Sequence, residues 1–166
     1  MTADDLDDLT RMHLDPRVMD TLGGVRSPEE TRAWLAQKME HWRQHGFGLW
    51  LARERQTGQF AGRGGLQHVE IDGRDEIEVG YSFLPDFWGR GLATELACES
   101  IHVAFTVLKL PELVCFTLTT NRASQRVMQK AGFRYERELL YKDLPHVLYR
   151  LRRGEFVEER NRETER

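Results

Sequence analysis

Apolar and polar positions along the chain change period several times, and each change marks an element. Leu6, Leu9 and His13 recur about a turn apart, which predicts a helix over residues 4–14 that Pro16 closes. Ser27-Pro28-Glu29-Glu30 has the chemistry of a helix start: a hydroxyl at the N-cap, proline at the first helical position and a glutamate that completes a capping box. The helix it opens carries Trp34, Leu35, Lys38, Met39 and Trp42, and Gly46 ends it. Two strands follow over 47–53 and 60–69, joined by a hairpin turn at Gln56-Thr57-Gly58-Gln59. Asp72-Gly73-Arg74 turns the chain into 76–84, where Ile77, Val79, Tyr81 and Phe83 alternate with polar or small residues, the mark of a half-buried strand.

After a loop at 85–91, Leu92, Leu96, Ile101, Ala104, Phe105 and Leu108 make one broad apolar face, which predicts a long helix over 92–108. A short buried strand at 113–118 precedes a helix over 121–131, closed by Gly132. The last two strands, 133–140 and 146–152, turn at Asp143-Leu144-Pro145, and the nearly all-charged residues from Glu155 onward read as a frayed tail. Helices, then antiparallel strands, then strand–helix–strand units predict an α+β domain: a mixed, mostly antiparallel central sheet with helices on both faces. A length of 166 residues suits one such domain, 1–153, with a charged tail over 154–166.

Charge removes one class of partner. The 24 basic residues are interleaved with 27 acidic ones for a net −3, not the concentrated basic face of a nucleic-acid binder. Cys98 and Cys115 form no CxxC pair, and each sits among apolar neighbours, so both are expected to be small buried hydrophobes. His41 and His45 are a helical i, i+4 pair with no third ligand evident, so no metal is expected. The acidic start MTADDLDD lacks the basic and apolar regions of a secretory signal, and no stretch is long enough to span a membrane. The expectation is a reducing cytoplasm.

The stretch that carries chemistry is Trp88-Gly89-Arg90-Gly91-Leu92-Ala93-Thr94, which follows a strand and opens a helix. A glycine-rich turn there lets an anion approach backbone N–H groups with no Cβ in the way, and the helix dipole adds to the attraction. The arrangement suits a pyrophosphate, with Arg90 as a charged arm. The alternative is a tight turn that needs glycine only for its dihedrals. It is neither a P-loop, since no GK[ST] follows, nor a complete dinucleotide fingerprint.

In its setting the stretch looks more particular. Ile77-Glu78-Val79-Gly80-Tyr81-Ser82-Phe83-Leu84-Pro85, then 87–95, resembles the acetyl-CoA-binding core of the GNAT superfamily of N-acetyltransferases. Asn121, Ser124, and then Val127-Met128 with Lys130 and Gly132-Phe133, is similar to the family's second signature, and Val147-Leu148-Tyr149-Arg150-Leu151 to its closing strand. The resemblance runs over roughly residues 3–153 and is nearest the branch of the ribosomal-protein N-terminal acetyltransferases.

The resemblance implies acetyl transfer from acetyl-CoA to a primary amine, on a protein N-terminus or a small molecule, by direct attack in a ternary complex. It implies that the amides of Gly89, Arg90, Gly91, Leu92, Ala93 and Thr94 hold the pyrophosphate. The backbone of Tyr81, Phe83 and Leu84 would pair with the pantetheine arm where two strands splay, Asn121 would bind the arm from the other side, and Ser124 would lie near the thioester sulfur. Glu78 is the candidate base, directly or through a water, with His68 and Glu76 behind it.

Two departures from the family pattern stand out. Where many members place a tyrosine four residues before the final helix's glycine, this chain has Met128, which cannot donate a proton, so Ser124, a water or the more distant Tyr141 must serve. The family's first strand is missing here, so the strand at 47–53 exposes an edge that an upstream segment or a second copy, as in a homodimer, would cover. The aromatic set Trp34, Trp42, Phe47 and Trp50 is either core or the lining of an acceptor pocket. A non-catalytic acyl-CoA-binding sensor on the same scaffold is the alternative function.

Overall fold

The computed structural model describes residues 1–156. Ala3–Asp5 form a 3-10 turn that leads into α1, Leu6–Leu14. Pro16 does more than close that helix. Asp15 accepts from the backbone N–H of Arg17 at 3.0 Å, and with proline at the first position this caps a further short helix, α2, Pro16–Met19. The capping box of α3, Pro28–His45, forms as its residues dictate: Ser27 Oγ accepts from Glu30 N at 3.1 Å, and the Glu30 carboxylate accepts from Ser27 N at 2.7 Å. Gly46 ends it in the left-handed conformation at φ 70°.

The strands are β1 (Leu49–Arg53), β2 (Phe60–Ile71), β3 (Arg74–Phe83), β4 (Glu112–Leu118), β5 (Arg134–Tyr141) and β6 (Leu144–Arg152). They form one mixed six-stranded sheet, flanked by helices, in the order β1-β2-β3-β4-β6-β5. β1–β2, β4–β6 and β5–β6 run antiparallel, and β3 pairs in parallel with β4 at Glu78 and Val114. The first strand of the described residues is β1, at a sheet edge.

Two local expectations are corrected. The last hairpin turns at Lys142 and Asp143, whose φ values of 50° and 62° are those of a two-residue type I′ turn, so Leu144 and Pro145 belong to β6. The helix expected over 92–108 is α4, Leu92–His102, followed by a wider π turn at Val103–Val107, where Thr106 Oγ1 donates back to the His102 carbonyl at 2.6 Å. The remaining helix is α5, Arg122–Lys130. A helical turn occupies 153–156, and the rest of the expected frayed tail lies outside the described residues.

The residues group into two compact units, and the long hairpin β2–β3 gives its open end to the first and its closed end to the second. The first unit, 1–67 with 80–96, has a core of Leu9, Met12, Met19, Leu35 and Phe60. A second cluster sets Ala61, Phe83 and Phe87 against Leu92 and Leu96. Leu9 and Met12 are fully buried, so truncating either to alanine costs about 2–5 kcal/mol. Trp42 packs where Gly48 leaves room, since a Cβ at 48 would stand 2.5 Å from its ring, and its indole N–H donates to the Leu49 carbonyl at 2.8 Å. Trp42, Trp50 and Phe47 are therefore helix-to-strand packing.

The second unit, 68–79 with the chain from Ala97 onward, packs Ile71, Val114, Leu139 and Leu148. Cys115 is buried and its thiol donates to the Val79 carbonyl at 3.0 Å, whereas Cys98 is exposed, contrary to the burial expected from its neighbours. A single guanidinium, Arg150 on β6, ties four strands together by pairing with Glu76 on β3 (2.9 Å), Glu112 on β4 (2.8 Å) and Glu136 on β5 (2.5 Å).

Candidate functional site

In the first unit the end of β3, a turn and the start of α4 form one continuous feature. Leu84 N–H donates to the Ala61 carbonyl at 2.8 Å, and Pro85–Phe87 wind one 3-10 turn that buries Phe87. Trp88 then reaches back, its indole N–H donating to the Phe83 carbonyl at 2.7 Å, which fixes the turn against the strand. Gly89 and Gly91 take φ values of 72° and 79°, a conformation that costs other residues about 1–2 kcal/mol. A Cβ built on either meets nothing within 4 Å among the described residues beyond its chain neighbours. The glycines are thus required by their dihedrals, and the space beside them, where a side chain would stand, is open.

The first intrahelical bond is Glu95 N to the Gly91 carbonyl at 3.0 Å, so the amides of Leu92, Ala93 and Thr94 lie in the turn whose N–H groups have no acceptor within the helix. This is the donor set a pyrophosphate takes, and the residues present fit it. Arg90 does not project freely. Its guanidinium pairs with Glu54 at 2.6 Å and lies 5.2 Å from the Phe87 ring centre. The same pair holds the Glu54 carboxyl below the usual range. Glu54, 36 residues away in sequence, had no signal that could have marked it. Of the stretch expected to meet the pantetheine arm, the Leu84 N–H and one lone pair of the Phe83 carbonyl are already engaged within this unit.

In the second unit Asn121 is the N-cap of α5. Its Oδ1 accepts from Ser124 N at 3.1 Å and its Nδ2 donates to Thr117 Oγ1 at 3.0 Å, which leaves one N–H and one lone pair of the amide for other partners. Ser124, in the first turn of that helix, is half-buried. Met128 is 1% exposed, so the side chain at the family's tyrosine position is core. Glu78 is half-buried beside the β4 pairing, and its charge, together with burial, raises the pKa of the Tyr141 phenol, burial being the larger cause. The unit thus brings Glu78 and Tyr141 within electrostatic reach. The reserve bases are otherwise occupied: Glu76 makes a two-oxygen pair with Arg150 at 2.9 and 3.0 Å, and His68 Nδ1 lies 2.9 Å from Asp75. Asp72, in the turn between β2 and β3, is paired with Arg137 at 2.5 Å.

The sequence matches the family described as Acetyltransferase (GNAT) domain over residues 1–134, and the chain belongs to that family. It is 29% identical over 135 residues to the uncharacterized protein YkkB of Bacillus subtilis, covering 81% of this chain and 78% of that one. It is 32% identical over 133 residues to the FsC-acetyl coenzyme A-N(2)-transacetylase of Aspergillus fumigatus, covering 74% of this chain and 55% of that one. Among solved structures it is similar to an acetyltransferase from Agrobacterium tumefaciens, with TM-score 0.79 and 24% identity over 91% of this chain and 86% of that one. The ribosomal-protein-S5-alanine acetyltransferase of Vibrio fischeri gives TM-score 0.75 and 17% identity over 92% and 90%. The spermidine N-acetyltransferase of Vibrio cholerae, in complex with CoA and spermine, gives 0.76 and 15% over 95% of each chain. These likenesses establish the fold, and they extend across several branches of the family rather than singling out the ribosomal-protein one. Among the described residues no helix is long and apolar enough to cross a membrane.

Proposed function

We propose that this protein is an acetyl-CoA-dependent N-acetyltransferase that acetylates a primary amine by direct attack in a ternary complex. The observation that carries the reading is the open cradle of Gly89 and Gly91 at the start of α4, where positive-φ glycines and first-turn amides leave a space fit for a pyrophosphate. Acetyl-CoA, when bound, supplies the activated acetyl group as a thioester. The chain's own residues then have three tasks.

The first is binding. The amides from Gly89 to Thr94 take the pyrophosphate, Tyr81 and Phe83 offer backbone to the arm, Leu84 has only a second carbonyl lone pair left to offer, and Asn121 offers its remaining N–H and lone pair. The second is to take a proton from the amine, assigned to Glu78 directly or through a water. A lysine-type amine titrates near ~10.4 and an α-amine near ~7.7–8.0, so the former relies on the base more heavily. The third is to return a proton to the departing sulfur, assigned to Ser124 or a water. With a thiol pKa of about 8.5 this help is useful without being indispensable.

An N-terminal amine of a protein, as in the ribosomal-protein branch, and a small amine both fit this chemistry. The buried Met128 favours one other reading, a sensor that binds acyl-CoA without turnover. Calorimetric titration with acetyl-CoA, then a thiol-release assay over an amine panel, decides. Micromolar binding with turnover on some amine supports the enzyme, binding without turnover supports the sensor, and no binding to any acyl-CoA overturns both.

A further inference from the structure

In the first unit, basic side chains gather around one aromatic ring. Arg63 of β2 is 8% exposed and lies 4.5 Å from the centre of Trp34, and Lys38 lies 5.6 Å from the same ring. His13, at the end of α1, meets Trp34 edge-on at 4.9 Å. Arg26, just before α3, is drawn onto this group because its backbone N–H donates to the His13 carbonyl at 3.0 Å.

The polar atoms here are incompletely satisfied. His13 is fully buried; its Nδ1 shares a hydrogen bond with Thr31 Oγ1 at 3.1 Å, and its Nε2 has no partner among the described residues. The Nη1 of Arg26 is buried without one, and its Nη2 reaches only the Leu22 carbonyl at 3.4 Å. Glu30 attracts Arg26 through space, but that carboxylate also caps Ser27 N. Burial, then the Arg63 and Arg26 charges, lower the His13 pKa to about 3, so the ring is neutral and cannot balance or add to them. Each buried donor left unmade is costly, and an acceptor carrying negative charge removes that cost best.

The place is adjacent to the cofactor stretch within the same unit. A Cβ on Gly62 would stand 2.8 Å from Phe83 Cα, and one on Gly64 3.0 Å from Tyr81 Cα. Arg63, between them, therefore rises from the strand immediately beside the residues assigned to the pantetheine arm.

We propose that Arg26, His13 and Arg63 form a subsite for a carboxylate on the acceptor, so that the amine acetylated belongs to an amino acid or a similar amine–carboxylate rather than to a polycation. One carboxylate oxygen accepts from Arg26 Nη1 and the other from the His13 Nε2–H tautomer, which Thr31 permits by donating to Nδ1. The proposal rests on the acetyltransferase reading above and narrows it to a substrate class.

The test is kcat/KM for the common α-amino acids and short ω-amino acids, each beside its carboxamide, with spermidine as the polycation, on wild type, Arg26→Gln and Arg26→Lys. The expected result is a preference for the acid of roughly tenfold or more, the worth of one charge-assisted bond. Arg26→Gln should abolish it and Arg26→Lys retain part of it, with acetyl-CoA affinity unchanged in both as the check on folding. Carboxamides or spermidine reacting as well as the acids, or a preference that survives Arg26→Gln, overturns the subsite. Acetyl-CoA binding with no turnover on any amine would instead sink the enzyme reading. In that event N-acetyl amino acids titrated into the CoA-loaded protein still decide: binding that needs both the carboxylate and Arg26 supports the subsite, and binding indifferent to either, or none, overturns it.

Discussion

Arg90 and Glu54 are joined at 2.6 Å, so the one charged side chain of the glycine turn is half neutralised before any phosphate arrives. The pair is exposed, with Arg90 at 48% of its side-chain surface, and salt screens it. Glu54→Gln removes an anion beside the proposed phosphate site and releases the arginine, so acetyl-CoA should bind more tightly, by about two- to fivefold at low salt and less at high salt. Arg90→Ala should weaken binding by a similar factor. Calorimetry at two salt concentrations checks both; unchanged affinity in both variants would place Arg90 outside the phosphate's reach.

Gly91 separates a cradle from a mere turn. Its φ of 79° suits asparagine better than any other non-glycine residue, and beyond its chain neighbours none of the described residues has an atom within 4 Å of where a Cβ would stand. Gly91→Asn should therefore leave the melting temperature nearly unchanged while placing a side chain in the space proposed for the pyrophosphate. Acetyl-CoA affinity is expected to fall at least about tenfold, or ~1.4 kcal/mol. Full affinity in a stable Gly91→Asn would return the glycine to a purely structural role.

Much of this site was legible because its chemistry is local. Ser27-Pro28-Glu29-Glu30 and the glycine turn announce themselves within a few residues, since capping and positive φ are properties of short segments. Other features were not. Pro16 reads equally as a helix stop and as a first helical residue, and only the Asp15 cap decides. Glu54, Arg26 and Arg63 matter through contacts across 36, 13 and 29 residues with Arg90, His13 and Trp34, respectively, which no periodicity reveals. Glu76 looked available as a base because its partner Arg150 lies 74 residues on.

Arg150 holds that carboxylate, Glu112 and Glu136 on three different strands, and the pairs drive its pKa above the usual arginine range and Glu136 below the usual carboxylate range. Arg150→Met leaves Glu76, 12% exposed, without its cation, at a cost of about 3 kcal/mol. Because Glu136 titrates lower when folded, its contribution is full above the unfolded pKa near ~4.3 and is lost as pH falls through the folded value. The variant's deficit should therefore be largest at neutral pH and shrink on acidification below about pH 4, as the carboxylates lose their charge. Denaturant unfolding at several pH values measures it. A deficit independent of pH would mean that packing, not charge, is what Arg150 supplies.

Glu78 and Tyr141 are the remaining pair, and their coupling gives a measurement independent of any assay. The phenol is raised by burial and then by the Glu78 charge, so it stays protonated, and able to donate, through neutral and mildly alkaline pH. Glu78→Gln removes the second cause, and one tyrosine of the four should titrate at lower pH in an ultraviolet difference titration. If Glu78 is the base, the same variant should lower kcat by about a hundredfold or more with acetyl-CoA binding intact, and more so for amines of higher pKa. Tyr141→Phe separates the roles. A fall in kcat that grows as pH rises toward the thiol's own pKa would make Tyr141 the proton donor that Met128 cannot be. An unchanged kcat at every pH would leave that task to Ser124 or water, with Tyr141 only a wall beside the base.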